Sequence, residues 1–399
     1  MRTYLPRLLL LFAATTTAAL AAEAALRSGL LGSAGIVPDV VTRKDIANAH
    51  WRQPGKDFVW HGQVGRAREF DVPSRWNALG YNDADYPLEK PPGTLRVVVI
   101  GDSYVEAVQV AQDRSFHNLL ETRLARGSPA RVEVIALGAS GAGPRRSLET
   151  LRSLGLRYRP DIVVFEFLGF NDVSDDSAEL SAAFHAQMRR LEQVSSRVYL
   201  PEVWRGESSW AHRLRLADSR LAALLGQGWN DAEFRWRVAR LDPRDRFPHH
   251  WFAFKKNYDP ADPYERAWSE GWDATLGLLR DAKEASAAAG ARFLLVRFTD
   301  HWRVAPDGIR QLYSAFPALL SVEMDFERDA RLLEALSREH AVAYLDLFPA
   351  FRAHWNDNAP LHFRSDTHWT AAGHAVAAAA IERRLREEGW IPDGETRDP

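Results

Sequence analysis

The sequence predicts an α/β domain in which a parallel sheet is covered by helices, and three observations predict it. Short unbroken runs of β-branched and other apolar residues recur along the chain, segments with helical apolar spacing lie between them, and several runs end in loops rich in Gly, Ser, Asp or Asn. Strands buried on both faces read as continuous apolar runs, and crossovers long enough to be helical leave neighbouring strands parallel. The 399 residues suffice for one large domain with additions or for two smaller domains.

The elements follow in chain order. Within residues 1–30, Arg2 and Arg7 precede the uncharged run LLLLFAATTTAALAA, residues 8–22. A basic start followed by an apolar stretch is the pattern of an exported chain. A helix of this length rises only about 22 Å against a hydrocarbon core of about 30 Å, which suits a cleaved signal peptide, and Ala19 and Ala21 supply a cleavage site. The apolar pattern resumes past Glu23 with Ala24 to Leu26 and then Leu30 and Leu31, which suits a single transmembrane anchor. Both readings stay open, and both place the body outside the cytoplasm, in the periplasm or cell envelope.

Residues 31–94 are rich in Trp, Pro, Asn and Asp with weak periodicity, so they predict an irregular lead-in packed on the body, with short strands, among them residues 69–72. The body spans residues 95–390. It opens with LRVVVI, residues 95–100, which stops at Gly101 and reads as the first core strand. A helix over 116–124, a strand over 132–137, a Gly-rich turn, a helix over 145–156 and a strand over 162–167 continue the alternation. It breaks after Asn171, and residues 174–262 read as a helical insertion. It resumes with a helix over 264–289 closed by Gly290, a strand over 292–297, a helix over 325–339, a short strand over 343–347 and a helix over 370–388. Residues 391–399 are a polar tail.

Composition excludes several classes. With 46% hydrophobic and 26% charged residues the chain is neither disordered, collagenous nor a multi-span membrane protein. Lys and Arg number 51 against 53 Asp and Glu, so no net field favours a polyanion and nucleic acid is not an expected partner. There is no Cys, hence no disulfide, thiolate metal site or cysteine nucleophile. No cofactor or metal is expected.

In such a fold the loops after the strands converge on one edge of the sheet. Gly101-Asp102-Ser103-Tyr104 presents a serine at the end of a strand and the start of a helix. Gly138-Ala139-Ser140-Gly141-Ala142-Gly143 lets backbone N–H groups approach a ligand closely. Gly169-Phe170-Asn171-Asp172 offers a side-chain amide. Near the C-terminus stands Ser365-Asp366-Thr367-His368-Trp369. A serine hydroxyl is a weak nucleophile unless an imidazole takes its proton and a carboxylate orients the imidazole. His368 and Asp366 supply both groups.

These four blocks, in this order, resemble the SGNH hydrolases, also called GDSL-type esterases and lipases. The resemblance covers residues 77–384, including Asn77-Ala78-Leu79-Gly80-Tyr81, which is similar to the lead-in of envelope-anchored members. It implies a flavodoxin-like three-layer sandwich with a central parallel sheet. It also implies the nucleophile Ser103, the base His368, the orienting acid Asp366, and an oxyanion hole formed by the N–H groups of Ser103 and Gly141 with the amide of Asn171. Tyr104 stands where the name motif has Leu, and Ala136 stands where many members place Asn. Asp366 and His368 are two apart rather than three, and this D-x-H-W form is similar to that of alginate O-acetyltransferase-like proteins.

The implied function is a serine carboxylic ester hydrolase acting on O-acyl, chiefly O-acetyl, esters of cell-envelope carbohydrate or on a small ester. Two alternatives stay open: an O-acetyltransferase with the same triad and a membrane-bound acyltransferase partner, and a non-catalytic glycan-binding protein. Plainer readings of the residues are also on the table. Ser103 is a competent helix cap and GFND a competent turn. His362, Asp366, His368 and His374 form a conceivable metal set. Arg145 and Arg146 suit a solvated helix start, His249 and His250 a packed aromatic cluster, and Trp204, Trp210, Trp229 and Trp236 either sugar stacking or a core.

Overall fold

Val97, Val98, Val99 and Ile100 are all fully buried, because successive side chains of a strand point to opposite faces and both faces of this sheet are covered. In the computed structural model of the protein the described residues are 5–28, 54–64, 67–126, 128–195, 249–356, 359–363 and 366–391. The chain divides into two compact units, one comprising Met1–Asp39 and Ala186–Arg246, the other Val40–His185 and Phe247–Pro399. The boundaries at 186 and 246 fall inside the 174–262 expected for the insertion. Residues 249–254 form a 3₁₀ turn with Trp251, Ala253 and Phe254 buried in the core of the larger unit, to which they belong.

In the smaller unit, helix α1 spans Leu5–Ser28. Among the described residues no helix is long and apolar enough to cross a membrane.

The larger unit opens with a hairpin, β1 (Asp57–Val64) and β2 (Ala67–Arg75), paired antiparallel. The lead-in thus holds strands, as expected, and the stretch 69–72 falls inside the second of them. The remaining elements are β3 (Thr94–Gly101), α2 (Ser103–Glu106), α3 (Phe116–Ala125), β4 (Arg131–Gly138), α4 (Pro144–Ser153), β5 (Ile162–Phe167), α5 (Asp172–Asp175) and α6 (Ala178–Ser195), of which the part up to His185 belongs to this unit. They continue as α7 (Pro263–Ala288), β6 (Arg292–Arg297), α8 (Arg328–His340), β7 (Ala343–Asp346) and α9 (Ala371–Glu387), with shorter turns between.

Strands β3 to β7 form one parallel sheet in the order β4-β3-β5-β6-β7. One face, carrying Val98, Ile100, Val163, Phe165 and Leu295, packs on α4, α7 and α8. The other, carrying Val97, Val99, Val164, Leu294 and Val296, packs on α3 and α9. This is the flavodoxin-like three-layer sandwich, and its order reverses between β3 and β5, where such sheets open a crevice at the carboxyl ends of their strands.

Local chemistry sets the ends of the longest helix. The Asp262 carboxylate accepts the Tyr264 N–H at 2.9 Å with Pro263 at the first helical position, so α7 begins there. It ends where Gly290 takes φ +79° and Ala291 N–H returns to Ser286 O. The helix expected over 145–156 stops earlier, at Ser153. Gly155 there packs so closely that a Cβ would stand 3.2 to 3.4 Å from Leu151 and Ile100, and a 3₁₀ turn, Gly155–Tyr158, completes the segment.

Candidate active site

The loops after β3 and β5 flank the point where the strand order reverses, and the serine and the amide stand on them. After β3, the Asp102 carboxylate accepts the Tyr104 N–H at 2.8 Å and caps α2, which makes Ser103 the first residue of that helix.

The segment that answers Ser103 comes from the far end of the chain. His362 and Trp369 form an antiparallel bridge, with Phe363 N–H donating to His368 O at 2.8 Å and Thr367 N–H to Phe363 O at 3.2 Å. Thr367, inside this turn, takes φ +69°. A β-branched residue in the left-handed region costs about 1–2 kcal/mol and persists only where its surroundings hold it. Tyr104 Oη does so by donating to Thr367 O at 3.1 Å. The reversal puts the side chains on either side of Thr367 together, and Asp366 Oδ1 lies 2.6 Å from His368 Nδ1.

His368 Nε2 in turn lies 2.8 Å from Ser103 Oγ. An ionised carboxylate only accepts, so Asp366 takes the Nδ1–H, and Nε2 is left to accept the serine hydroxyl. The imidazole rests on the Tyr104 ring, centroids 4.7 Å apart, and Tyr104 meets Trp369 edge-on. Trp369 Nε1 donates to Thr299 Oγ1 at 3.0 Å, which ties the segment to the loop after β6. The His368 and Asp366 side chains are 13% and 21% exposed, so the site is lined by protein yet reachable.

The Gly-rich loop makes a tight turn, Ala142 N–H to Ala139 O at 2.9 Å, with Gly141 at φ +68°. Positive φ at the third position of such a turn calls for glycine, and here a Cβ would meet nothing within 4 Å, so the peptide faces open space. Glu106 holds the turn from below: its Oε2 accepts both the hydroxyl and the N–H of Ser140. Among the described residues neither the Ser103 N–H nor the Gly141 N–H donates to another protein group.

Asn171 departs from the expectation. Its Nδ2 donates to Asp175 Oδ2 at 2.8 Å and to Asp102 Oδ2 at 3.3 Å, while its buried Oδ1 has no partner among the described residues. The amide stands in the right loop, but both of its hydrogens are taken by carboxylates, because a charged acceptor outcompetes any neutral one nearby. The signal missed in the sequence was the run of acids at Asp172, Asp175 and Asp176 just beyond it.

Beneath the serine, oxygens of Asp102, Glu166 and Asp172 lie within 4.8 Å of one another, all three residues buried. Glu166 Oε2 accepts the Asp102 N–H at 2.9 Å and Asp172 Oδ2 the Leu168 N–H at 2.8 Å, while Glu166 Oε1 and Asp172 Oδ1 have no partner among the described residues. Burial drives the Glu166 and Asp172 carboxyls well above their ordinary values. Asp102 is raised by burial to about 6, moderated by the Tyr104 N–H, His368 and Asn171. Burial thus favours the protonated form of Glu166 and of Asp172 over the carboxylate. The charged residue inside the apolar run IVVFEF was the visible sign of them.

The other candidates fall elsewhere. His362 Nε2 sits 3.2 Å from Thr299 Oγ1, and His374 Nδ1 accepts the Phe116 N–H at 3.2 Å, so neither joins Asp366 and His368 in a ligand set. Burial lowers His362 to about 3 and His374 well below its usual range. A second grouping, Ser115, His117 and Asp83, has the right residue types but no relay: both Ser115 Oγ, at 3.0 Å, and Asp83 Oδ1, at 3.9 Å, face the same nitrogen, Nε2, and all three are buried. His249 bonds Tyr264 Oη and packs on Trp268, His250 bonds Ser174 Oγ and packs on Phe170 and Phe184, and the pair forms the packed aromatic cluster. Arg145 and Arg146 are exposed at the start of α4. Trp204, Trp210, Trp229 and Trp236 lie outside the described residues.

Two family descriptions match the chain. Residues 99–225 match the GDSL-like lipase/acylhydrolase family, and residues 255–398 match the SGNH hydrolase-like domain of acetyltransferase AlgX. No curated protein matches the chain. Among solved structures it is similar to a lipase/acylhydrolase from Enterococcus faecalis, with 13% identity, a TM-score of 0.37, and coverage of 74% of this chain and 96% of that one. It is also similar to the acetyl xylan esterase AlAXEase, with 11% identity, a TM-score of 0.38, and coverage of 73% and 100%.

Proposed function

We infer that this chain, whose body is an SGNH domain of the ester hydrolase or acetyltransferase class, moves acyl groups through Ser103, and that its substrates are O-acetyl esters of cell-envelope carbohydrate. The observation that carries the reading is the unbroken hydrogen-bond chain from Asp366 through His368 to Ser103.

In the first step His368 Nε2 takes the Ser103 proton as Oγ bonds to the ester carbonyl carbon. The imidazolium so formed is stabilised by Asp366. The carbonyl oxygen, now negative, meets the unpaired N–H groups of Ser103 and Gly141, each such donor contributing about 2.7–4 kcal/mol to the transition state. The bond to the leaving alcohol breaks as Nε2 returns the proton to its oxygen, which leaves an acyl-serine. In the second step Nε2 takes a proton from water, the hydroxide oxygen bonds to the acyl carbon, and Ser103 leaves with its proton restored. Asn171 joins the oxyanion donors only when its amide turns from Asp102 or Asp175.

A second reading has its own support. The stretch that carries Asp366 and His368 is the one matched by a domain described as that of an acetyltransferase. With a sugar hydroxyl in place of water the same steps make an O-acetyltransferase, and an acetyl donor must then reach a body held outside the cytoplasm, through a membrane-bound acyltransferase partner. The basic, apolar N-terminal segment supports export.

Hydrolysis of p-nitrophenyl acetate, with and without an acetylatable glycan, tests both readings beside Ser103→Ala. Turnover lost in the Ala variant supports the serine mechanism, and acetylated glycan as product favours the transferase. Turnover equal in the two proteins rules out Ser103 as the nucleophile.

A further inference from the structure

The lead-in hairpin reaches the active site at one residue. Strands β1 and β2 pair Gly62 with Phe70 and Gln63 with Arg68, so the register shifts there and Glu69 is the extra residue of a β-bulge. A bulge interrupts the alternation of side chains and re-aims them, and bulges concentrate beside active sites for that reason. Here Glu69 and Phe70, which regular pairing would send to opposite faces, both meet the turn that carries the catalytic acid. Glu69 Oε2 accepts the Asp366 N–H at 3.1 Å, and the Phe70 ring lies 4.6 Å from that of Phe363.

That turn needs holding. It contains Thr367 at φ +69°, and its reversal is what lets Asp366 and His368, two residues apart, bond each other. Tyr104 grips it at the Thr367 carbonyl. The N–H of Asp366 is the group nearest the acid itself, and the acceptor it meets is a carboxylate, which makes the stronger, charge-assisted kind of bond. Hairpin and turn are 297 positions apart in sequence, and the hairpin precedes both matched family stretches.

We propose that Glu69 is a positioning residue for the acyl-transfer reaction: from the bulge of β2 it holds the Asp366 N–H so that the acid and His368 stay aligned on Ser103. This rests on the serine reading of the site. Glu69 acts through the Asp366 N–H, so its effect is expected on the chemical step and not on substrate binding.

The test is steady-state kinetics of the full chain with p-nitrophenyl acetate, normalised to the active enzyme titrated by its acyl-enzyme burst, for Glu69→Ala, Glu69→Gln, Glu69→Asp and Ser103→Ala. Small displacements of a catalytic group cost one to two orders of magnitude, so kcat of Glu69→Ala is expected to fall about tenfold with KM within about twofold. Glu69→Gln keeps an acceptor oxygen at the same reach and is expected to recover kcat to within about threefold of wild type. Glu69→Asp, a methylene shorter, should be slow, and it decides the matter if the Ala variant does not fold. Wild-type kcat in Glu69→Ala or Glu69→Asp overturns the proposal, as does a Gln variant no faster than Ala. If Ser103→Ala retains full turnover, the serine reading falls and the positioning role falls with it. If Ser103→Ala is inactive and Glu69→Ala is not impaired, only the positioning role falls.

Discussion

His368 Nε2 and Ser103 Oγ stand 2.8 Å apart although 265 positions separate them in the chain. Asp366 completes the line from the other side of the imidazole. Loss of the orienting carboxylate in such a triad lowers kcat on the order of 10⁴-fold by favouring the wrong tautomer, so Asp366→Asn should do the same while thermal unfolding stays near wild type. Rates of p-nitrophenyl acetate hydrolysis beside a melting curve check this, and a milder loss would show that His368 holds its tautomer without Asp366.

Asn171 is held by two carboxylates, and the two bonds differ in length, 2.8 Å to Asp175 and 3.3 Å to Asp102. If its amide joins the oxyanion donors during the reaction, Asn171→Ala should lower kcat by about 10²–10³-fold with little change in KM. Asp175→Ala removes the competing acceptor and should leave kcat unchanged or raised. A fall in kcat for Asp175→Ala would instead mean that the acid aims the amide.

Glu166 and Asp172 carry a signature in pH. Both carboxyls are pushed up by burial, so between the ordinary carboxyl range and their raised values the folded chain binds more protons than the unfolded one. Their contribution to stability is complete in acid and is lost as pH rises through that window. Glu166→Gln keeps an oxygen for the Asp102 N–H and removes one titration. Its free energy of unfolding relative to wild type should therefore climb as pH rises above the ordinary carboxyl range, at a limiting slope of about 1.4 kcal/mol per pH unit. Parallel curves for the two proteins would place the proton elsewhere.

Tyr104 acts at two points, its ring under His368 and its hydroxyl on the Thr367 carbonyl. Tyr104→Phe keeps the ring and removes the hydrogen bond, at a cost of about 0.5–1.5 kcal/mol in stability. Because the lost bond steadies the Asp366–His368 turn, kcat should fall several-fold as well. Chemical denaturation and kinetics on one preparation separate the two effects.

Much of this was legible in advance, for local reasons. The runs over 162–167 and 292–297 are strands with those bounds, because an apolar run between turn residues has no competing local structure. The glycine ending the long helix was legible too, since only its own conformation is at issue. The hairpin was legible only in part, as a strand over 69–72. Its residues 57–75 mix polar and apolar side chains, because the hairpin lies outside the main sheet and buries little of itself.

The sequence alone determined the fold class and the chemical inventory: which strands are buried on both faces, where glycine must turn the chain, and which serine, histidine and acid are available. Those features depend on neighbours a few residues apart, so periodicity and turn chemistry carry them. Only the tertiary structure decided which groups meet. The sheet order brings the Ser103 and Asn171 loops to one crevice, and the turn at Thr367 folds Asp366 onto His368. The bulge aims Glu69 at that turn, and Asp175 reaches the Asn171 amide first. Such pairings are set by strand order and by side-chain reach across a folded edge, and no local pattern in a chain records them.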